Sequence, residues 1–149
     1  MGNRIYPIGI QNFEKIRKEG YVYVDKTALM YKLVKSGSYF FLSRPRRFGK
    51  SLLISTLEAY FEAKRDLFEG LAVETLEKDW VKRPVFHLDL NIGKYDTPDS
   101  LDKILNETLD YWESLYGTRS AETTLALRFA GVVGRAYEQS GERVAILID

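Results

Sequence analysis

The stretch RPRRFGKS, residues 44–51, restricts the possible folds of this chain more than any other part of the sequence. Gly49, Lys50 and Ser51 are in the register of the phosphate-binding motif G-x-x-x-x-G-K-[ST], but Arg44 replaces its first glycine. The apolar run SYFFLS precedes this stretch, and the helical pattern KSLLISTLEAYF follows it. We call residues 44–51 the arginine loop and residues 38–43 the pre-loop segment. The order predicts a buried strand, a turn and a helix.

Helical patterns occupy three further parts of the chain. Leu29, Leu33 and Val34 recur at helical spacing and are expected to face inward in a helix that stops at Gly37. The patterns DSLDKILNETLDYWESLYG and LALRFAGVVGRAYEQSG also keep one apolar stripe, and each ends in glycine. We therefore expect two long amphipathic helices in the second half of the chain.

Two apolar runs, RPVFHLDLN at residues 83–91 and RVAILID at residues 143–149, have the length and composition of buried strands. Near-continuous apolar runs are typical of parallel sheets, whose strands are covered on both faces. Strands that alternate with helices predict an α/β fold with a mainly parallel sheet.

Composition excludes several classes of protein. The 149 residues suit one domain, and 22 basic against 21 acidic residues leave a net charge of +1, so no global field attracts nucleic acid or a membrane surface. The absence of cysteine excludes disulfides and thiolate metal sites. The sequence has no signal-peptide pattern and no apolar run of about 20 residues. We expect a cytoplasmic protein without membrane contact.

The arginine loop has the residue types that phosphate binding needs. Backbone N–H groups at a helix start attract phosphate oxygens, Lys50 neutralises the outer phosphate and acts catalytically, and the Ser51 hydroxyl binds Mg²⁺. Asp149 follows an apolar strand and is expected to hold Mg²⁺ at the edge where the loop also lies. A solvated turn with Lys and Ser at a helix start is the structural alternative. The candidate nucleotide-binding residues are Arg46, Arg47, Phe48, Gly49, Lys50, Ser51 and Leu52.

Other polar residues have more than one interpretation each. The arginines of the loop can clamp phosphates, act on a neighbouring subunit or contact nucleic acid, and Arg47 is the preferred nucleotide contact. Asp25, Lys26 and Thr27 in YVDKT can shape an adenine pocket, or Asp25 can cap a helix whose first turn is polar. Asp89 can support a metal ion or cap a loop.

The residues from YPIGIQNF through RPRRFGKS to LEAYF resemble the N-terminal region of the predicted AAA-ATPase-like proteins, which are bacterial P-loop ATPases. The resemblance continues through DLFEGL and RPVFHLDLN to VAILID. In that family the arginine-rich form of the loop is the habitual one. The resemblance implies a P-loop NTPase-type three-layer αβα sandwich, ATP and Mg²⁺ as cofactors, and in many members a following nuclease-like domain of the PD-(D/E)XK type.

The resemblance also implies an incomplete site. The family's second motif, of the form LIDEYD, places a catalytic glutamate after the metal-binding acid, whereas this sequence ends at Asp149. We therefore expect residues 1–149 to be the N-terminal part of one nucleotide-binding domain, ending at the Walker B acid, with exposed strand edges, weak ATP binding, little hydrolysis and a tendency to self-associate. A nucleic-acid or protein interaction module with a vestigial nucleotide site is the alternative. A nucleoside kinase is a third.

Overall fold

The computed structural model describes residues 5–149. The chain divides into two compact units, Met1–Lys82 and Arg83–Asp149, and each is described by itself. The first unit contains helices α1 (Phe13–Lys18), α2 (Thr27–Ser36), α3 (Lys50–Phe61) and α4 (Ala72–Leu76), with a 3-10 turn at Arg65–Phe68. The second contains strand β1 (Val85–Leu88), a 3-10 turn at Leu90–Ile92, helices α5 (Ser100–Tyr116) and α6 (Leu125–Ser140), and strand β2 (Ala145–Ile148). The fold is thus mixed α/β.

Aromatic packing builds the core of the first unit. Phe13 and Phe68 have no exposed surface, and their ring centroids lie 4.8 Å apart. Phe68 also contacts Trp80, with a centroid separation of 5.3 Å. Ile16 and Val73 complete this core at 1% and 0% exposure. Burial of so much ring surface is the main stabilisation available to a unit that has no strand among its described residues.

Helix α2 forms as predicted and ends at Gly37, and two of its three spaced apolar residues, Leu33 and Val34, are half-buried. Leu29 is 65% exposed, whereas Thr27 and Met30 are buried. The Thr27 hydroxyl accepts the N–H of Val73 in α4, which fixes the rotation of α2. A polar contact therefore decides which side of the helix is covered.

Glu77, at the end of α4, is a buried carboxylate with several partners. It accepts hydrogen bonds from the Tyr60 hydroxyl and from the backbone N–H of Asp79, and its Oε2 lies 3.2 Å from Lys35 Nζ. Burial acts to raise the pKa of Glu77, but these hydrogen bonds and the lysine outweigh it and hold the pKa below the ordinary value of 4.5. The ionised form is the one that fits the fold.

We expect the first unit to lose stability on acidification. A carboxylate whose pKa is lower in the folded state stabilises the fold above its unfolded pKa, and this stabilisation is lost as the pH falls through the folded value. The urea midpoint should decrease from about pH 6 to about pH 3.5, and Glu77→Gln should reduce the size of that decrease. The matched control is Glu69→Gln, an exposed glutamate, which should leave the pH dependence unchanged. An identical pH dependence in Glu77→Gln would contradict this assignment.

The second unit confirms the parallel pairing that the apolar runs predict. Strands β1 and β2 pair in parallel, with Phe86 opposite Ile146 and Leu88 opposite Ile148. Phe86 stacks on Trp112 of α5 at a centroid distance of 4.6 Å. Both helices end at the expected glycines, Gly117 and Gly141. The described residues form a two-stranded sheet, which agrees with an α/β class and is smaller than a complete sandwich.

The pre-loop segment is not a strand, so this prediction was wrong. Tyr39 and Phe41 are 96% and 92% exposed, and residues 39–43 make no backbone hydrogen bond to any other residue of the described range. A strand needs a neighbour for its N–H and C=O groups, and none of the described residues supplies one. The pre-loop segment therefore has the aromatic residues that favour a strand, but it lacks the neighbouring strand that would pair with it.

Candidate functional site

Helix α3 begins immediately after the arginine loop and its start is open. Gly49 is at the N-cap position with φ 80°, and no side chain of residues 5–149 accepts a hydrogen bond from the first N–H groups of the helix. The first N–H groups of a helix have no partner within the helix, and here the first internal bond runs from Leu53 to Gly49. The N–H groups of Lys50, Ser51 and Leu52 thus remain available to a ligand, at the positive end of the helix dipole.

In the usual motif the first glycine allows the backbone to turn. Here Arg44 replaces that glycine, and the left-handed turn occurs at Arg47 instead. Arg47 has φ 65° and Gly49 has φ 80°, with Phe48 between them outside the positive region. Alternating signs of φ aim successive N–H groups into one concavity, which is the backbone arrangement that binds anions. A non-glycine residue in the left-handed region costs about 1–2 kcal/mol. The sequence did not indicate that Arg47 would take this conformation.

The basic side chains of the loop have no acidic partner. Arg44, Arg46 and Arg47 are exposed, Lys50 is half-buried, and none of the four makes an ion pair or a side-chain hydrogen bond with residues 5–149. By contrast, the guanidinium of Arg128 bonds both Glu113 and Asp110. Four basic residues within seven positions, unpaired among the described residues, give the loop a local positive charge that favours an anionic ligand.

Ser55 anchors the helix that follows the loop. Its hydroxyl accepts the N–H of Phe13 at 3.0 Å and lies 3.1 Å from the carbonyl of Gln11. Because Ser55 is one turn beyond Ser51, residues 11–13 lie against the first turns of α3. This contact ties the segment before α1 to the helix that carries the candidate site.

The acids that end the two strands lie side by side in the second unit. The N–H of Asp149 donates to the carbonyl of Leu88, and the N–H of Leu90 donates to the carbonyl of Asp149. Asp89 accepts the N–H of Asn91 at 2.8 Å and so caps the 3-10 turn, which confirms the capping interpretation for this residue. Within residues 5–149, no group of three or more His, Cys, Asp or Glu side chains is placed to hold a metal ion.

The YVDKT motif has a structural role in the first unit. One oxygen of Asp25 accepts the N–H and the hydroxyl of Thr27 at the start of α2, and the other accepts the N–H of Ala72 at the start of α4. Burial acts to raise the pKa of Asp25, but the hydrogen bonds from Thr27 and Ala72 outweigh it and lower the pKa. This confirms the helix-capping interpretation and leaves both carboxylate oxygens occupied.

Replacing Asp25 with alanine is expected to destabilise the first unit by about 1–2 kcal/mol, because two helix starts lose their acceptor. Urea unfolding of Asp25→Ala measures this loss, with Asp66→Ala as a control, since the carboxylate of Asp66 is exposed and caps no helix. A change in nucleotide affinity without a change in stability would instead favour the adenine-pocket interpretation.

Comparison with known proteins gives the family. The model of the family described as Predicted AAA-ATPase matches residues 7–149. The chain belongs to this predicted AAA-ATPase-like family. A protein of Azotobacter chroococcum mcd 1, described as an uncharacterized protein in vnfD 5'region, is 38% identical over 151 residues. That match covers 100% of this chain and 29% of the Azotobacter protein, so the chain spans less than a third of this relative.

No solved structure matches the chain significantly. None of the helices in the described range has the length and apolar character to cross a membrane.

Proposed function

We propose that the arginine loop binds the phosphates of ATP together with Mg²⁺. The observation that carries this proposal is the joint presence, in one loop, of four unpaired basic residues and an uncapped helix start. Membership of a predicted ATPase family supports nucleotide binding in general. The proposed contacts are Arg46, Arg47, Phe48, Gly49, Lys50, Ser51 and Leu52.

Each part of the loop has a distinct proposed role. The N–H groups of residues 47–52 donate to phosphate oxygens, and the Lys50 ammonium neutralises the outer phosphate as the catalytic cation. The Ser51 hydroxyl, which has no hydrogen-bond partner among the described residues, binds Mg²⁺ beside the phosphates. Mg²⁺ in nucleotide sites takes few protein ligands, so the Ser51 hydroxyl would suffice without a cluster of protein carboxylates.

Asp149 is proposed as a further metal residue, because it directly follows the apolar strand β2. We propose a P-loop NTPase-type sandwich as the fold of the complete domain, of which residues 1–149 form the N-terminal part. The catalytic glutamate of the whole ATPase is proposed to lie outside this chain. Residues 1–149 alone then bind ATP without efficient hydrolysis.

Calorimetric titration of ATP tests this proposal, once in Mg²⁺ and once in EDTA. We expect one binding site, with tighter binding in Mg²⁺ because the Ser51 hydroxyl would hold the ion that accompanies the phosphates. Absence of binding in both titrations, from a sample whose circular dichroism shows a folded chain, would contradict the proposal.

A second candidate function is supported by the pre-loop segment. Tyr39 and Phe41 are almost fully exposed and directly precede the arginines, and exposed aromatics beside basic residues suit single-stranded nucleic acid. The two functions differ in their response to salt. Oligonucleotide binding should persist without ATP and fall steeply as salt increases, whereas Mg-ATP binding should depend on Lys50 and only modestly on salt.

A further inference from the structure

The base of a nucleotide needs an apolar surface near the phosphate site, and the polar residues of YVDKT are used within the fold. The carboxylate oxygens of Asp25 cap α2 and α4, and Thr27 is buried at 1% exposure. Another exposed apolar surface of the first unit is therefore a candidate for the base.

Residues 6–10 form a tight turn that presents apolar side chains to solvent. The N–H of Ile8 donates to the carbonyl of Tyr6, the N–H of Ile10 donates to that of Pro7, and Gly9 has φ 73°. Tyr6 is 72% exposed and Ile8 is 92% exposed. We call residues 6–10 the tyrosine turn. The tyrosine turn thus presents an aromatic and an aliphatic side chain that are available to an apolar ligand surface.

The tyrosine turn is held in place at both ends. Before the turn, the carbonyl of Ile5 accepts the N–H of Val22 at 3.0 Å. After it, the carbonyl of Gln11 lies 3.1 Å from the Ser55 hydroxyl, and the N–H of Phe13 donates to that same hydroxyl. The turn is thus fixed to α3 rather than free to move independently.

The anchor at Ser55 ties the tyrosine turn to the second turn of α3. Ser55 follows Ser51 by one helical turn, which is a rise of about 6 Å along the helix axis. Ile8 precedes Gln11 by three positions, which span at most about 11 Å of extended chain, so the exposed apolar side chains lie within that reach of the helix that carries the uncapped N–H groups. When its phosphates accept hydrogen bonds from those N–H groups, a nucleotide places its base several ångströms away from them, on the scale of one helical turn.

We propose that the tyrosine turn binds the base of the nucleotide, with the Tyr6 ring stacked on the base and Ile8 in apolar contact with it. This inference rests on the proposed function, because it assigns the other end of the same ligand. Every base has an apolar face that an aromatic ring can stack on, so the turn supplies affinity for a nucleoside triphosphate over triphosphate alone.

The test compares Mg-ATP with magnesium and inorganic triphosphate as ligands of the unmodified chain, Tyr6→Ala and Ile8→Ser. Tyr6→Ala should weaken Mg-ATP binding about tenfold and leave inorganic triphosphate binding unchanged, because only the base contact is lost. Ile8→Ser should also weaken Mg-ATP binding and leave inorganic triphosphate binding unchanged. Tyr111→Ala is the matched control, since Tyr111 is 63% exposed on α5, and it should alter neither affinity. Thermal unfolding should be the same for all four proteins, because the substituted side chains are exposed.

The outcomes separate this inference from the function on which it rests. Equal affinities of the unmodified chain and Tyr6→Ala for Mg-ATP, with triphosphate binding intact, would overturn the base contact and leave the phosphate site standing. Equal weakening of both ligands by Tyr6→Ala would also overturn it, because the turn would then act on the phosphates. Binding of neither ligand by the unmodified chain would overturn the proposed function and this inference together.

Discussion

Lys50→Ala is expected to weaken Mg-ATP binding by at least about tenfold, because a charge-assisted contact to phosphate is worth about 1.5–3 kcal/mol. Lys50 is the first residue of α3 and makes no ion pair among the described residues, so its ammonium is available to bind a ligand. Its removal should change the fold little, because no described acidic residue loses a partner. Calorimetric titration beside thermal unfolding separates these two effects.

The matched control for this substitution is Lys32→Ala. Lys32 is an exposed lysine of α2 that makes no ion pair with the described residues. Lys32→Ala removes one positive charge from the same unit as Lys50→Ala, so it controls for any general electrostatic effect on binding. Equal affinities of Lys50→Ala and Lys32→Ala would contradict the assignment of Lys50 to the phosphates.

Phe68→Ala is expected to destabilise the first unit by about 3–5 kcal/mol, the range for truncation of a buried aromatic ring. Phe68 has no exposed surface and contacts the rings of both Phe13 and Trp80. The cavity would open in the centre of the aromatic core, to which α1, α4 and the 3-10 turn contribute. Urea unfolding followed by tryptophan fluorescence measures the loss, because Trp80 lies in the same cluster.

Phe41→Ala removes the same ring from the pre-loop segment and serves as the control. Phe41 is 92% exposed, so this substitution should change the free energy of unfolding by less than about 0.5 kcal/mol. A loss in Phe41→Ala as large as that in Phe68→Ala would show that the pre-loop segment is packed in solution, contrary to the structure.

The sequence predicted the long amphipathic elements correctly because their patterns are long and their ends are marked. Helices α5 and α6 show an apolar stripe over several turns, and glycine ends both. The two apolar runs form strands β1 and β2, and these strands pair in parallel as the sequence predicts. In these elements local preference and tertiary packing favour the same structure.

The sequence failed where a single distant contact decides the structure. The face of α2 depends on a hydrogen bond from Val73 to Thr27, 46 residues away, and no periodicity reports it. The pre-loop segment has the residues of a strand, but pairing depends on a neighbour that the described residues do not provide.

Within the candidate site, the sequence indicated the residue types but not the backbone. The register of Gly49, Lys50 and Ser51 located the start of α3 correctly. The left-handed turn at Arg47 was not predictable, because non-glycine residues seldom adopt it and the motif expects glycine earlier. The capping role of Asp25 was one of two interpretations that the sequence left open, and the distant N–H of Ala72, which donates to the Asp25 carboxylate, decided it.

The most direct test of the phosphate site is a titration of the isotope-labelled chain with Mg-ATP, monitored by backbone amide chemical shifts. Amides that donate to phosphate oxygens shift most, so the account predicts the largest changes at residues 47–52. Smaller changes should appear at residues 6–10, beside the base. Large changes confined to other parts of the chain, or no change at saturating Mg-ATP, would contradict the account.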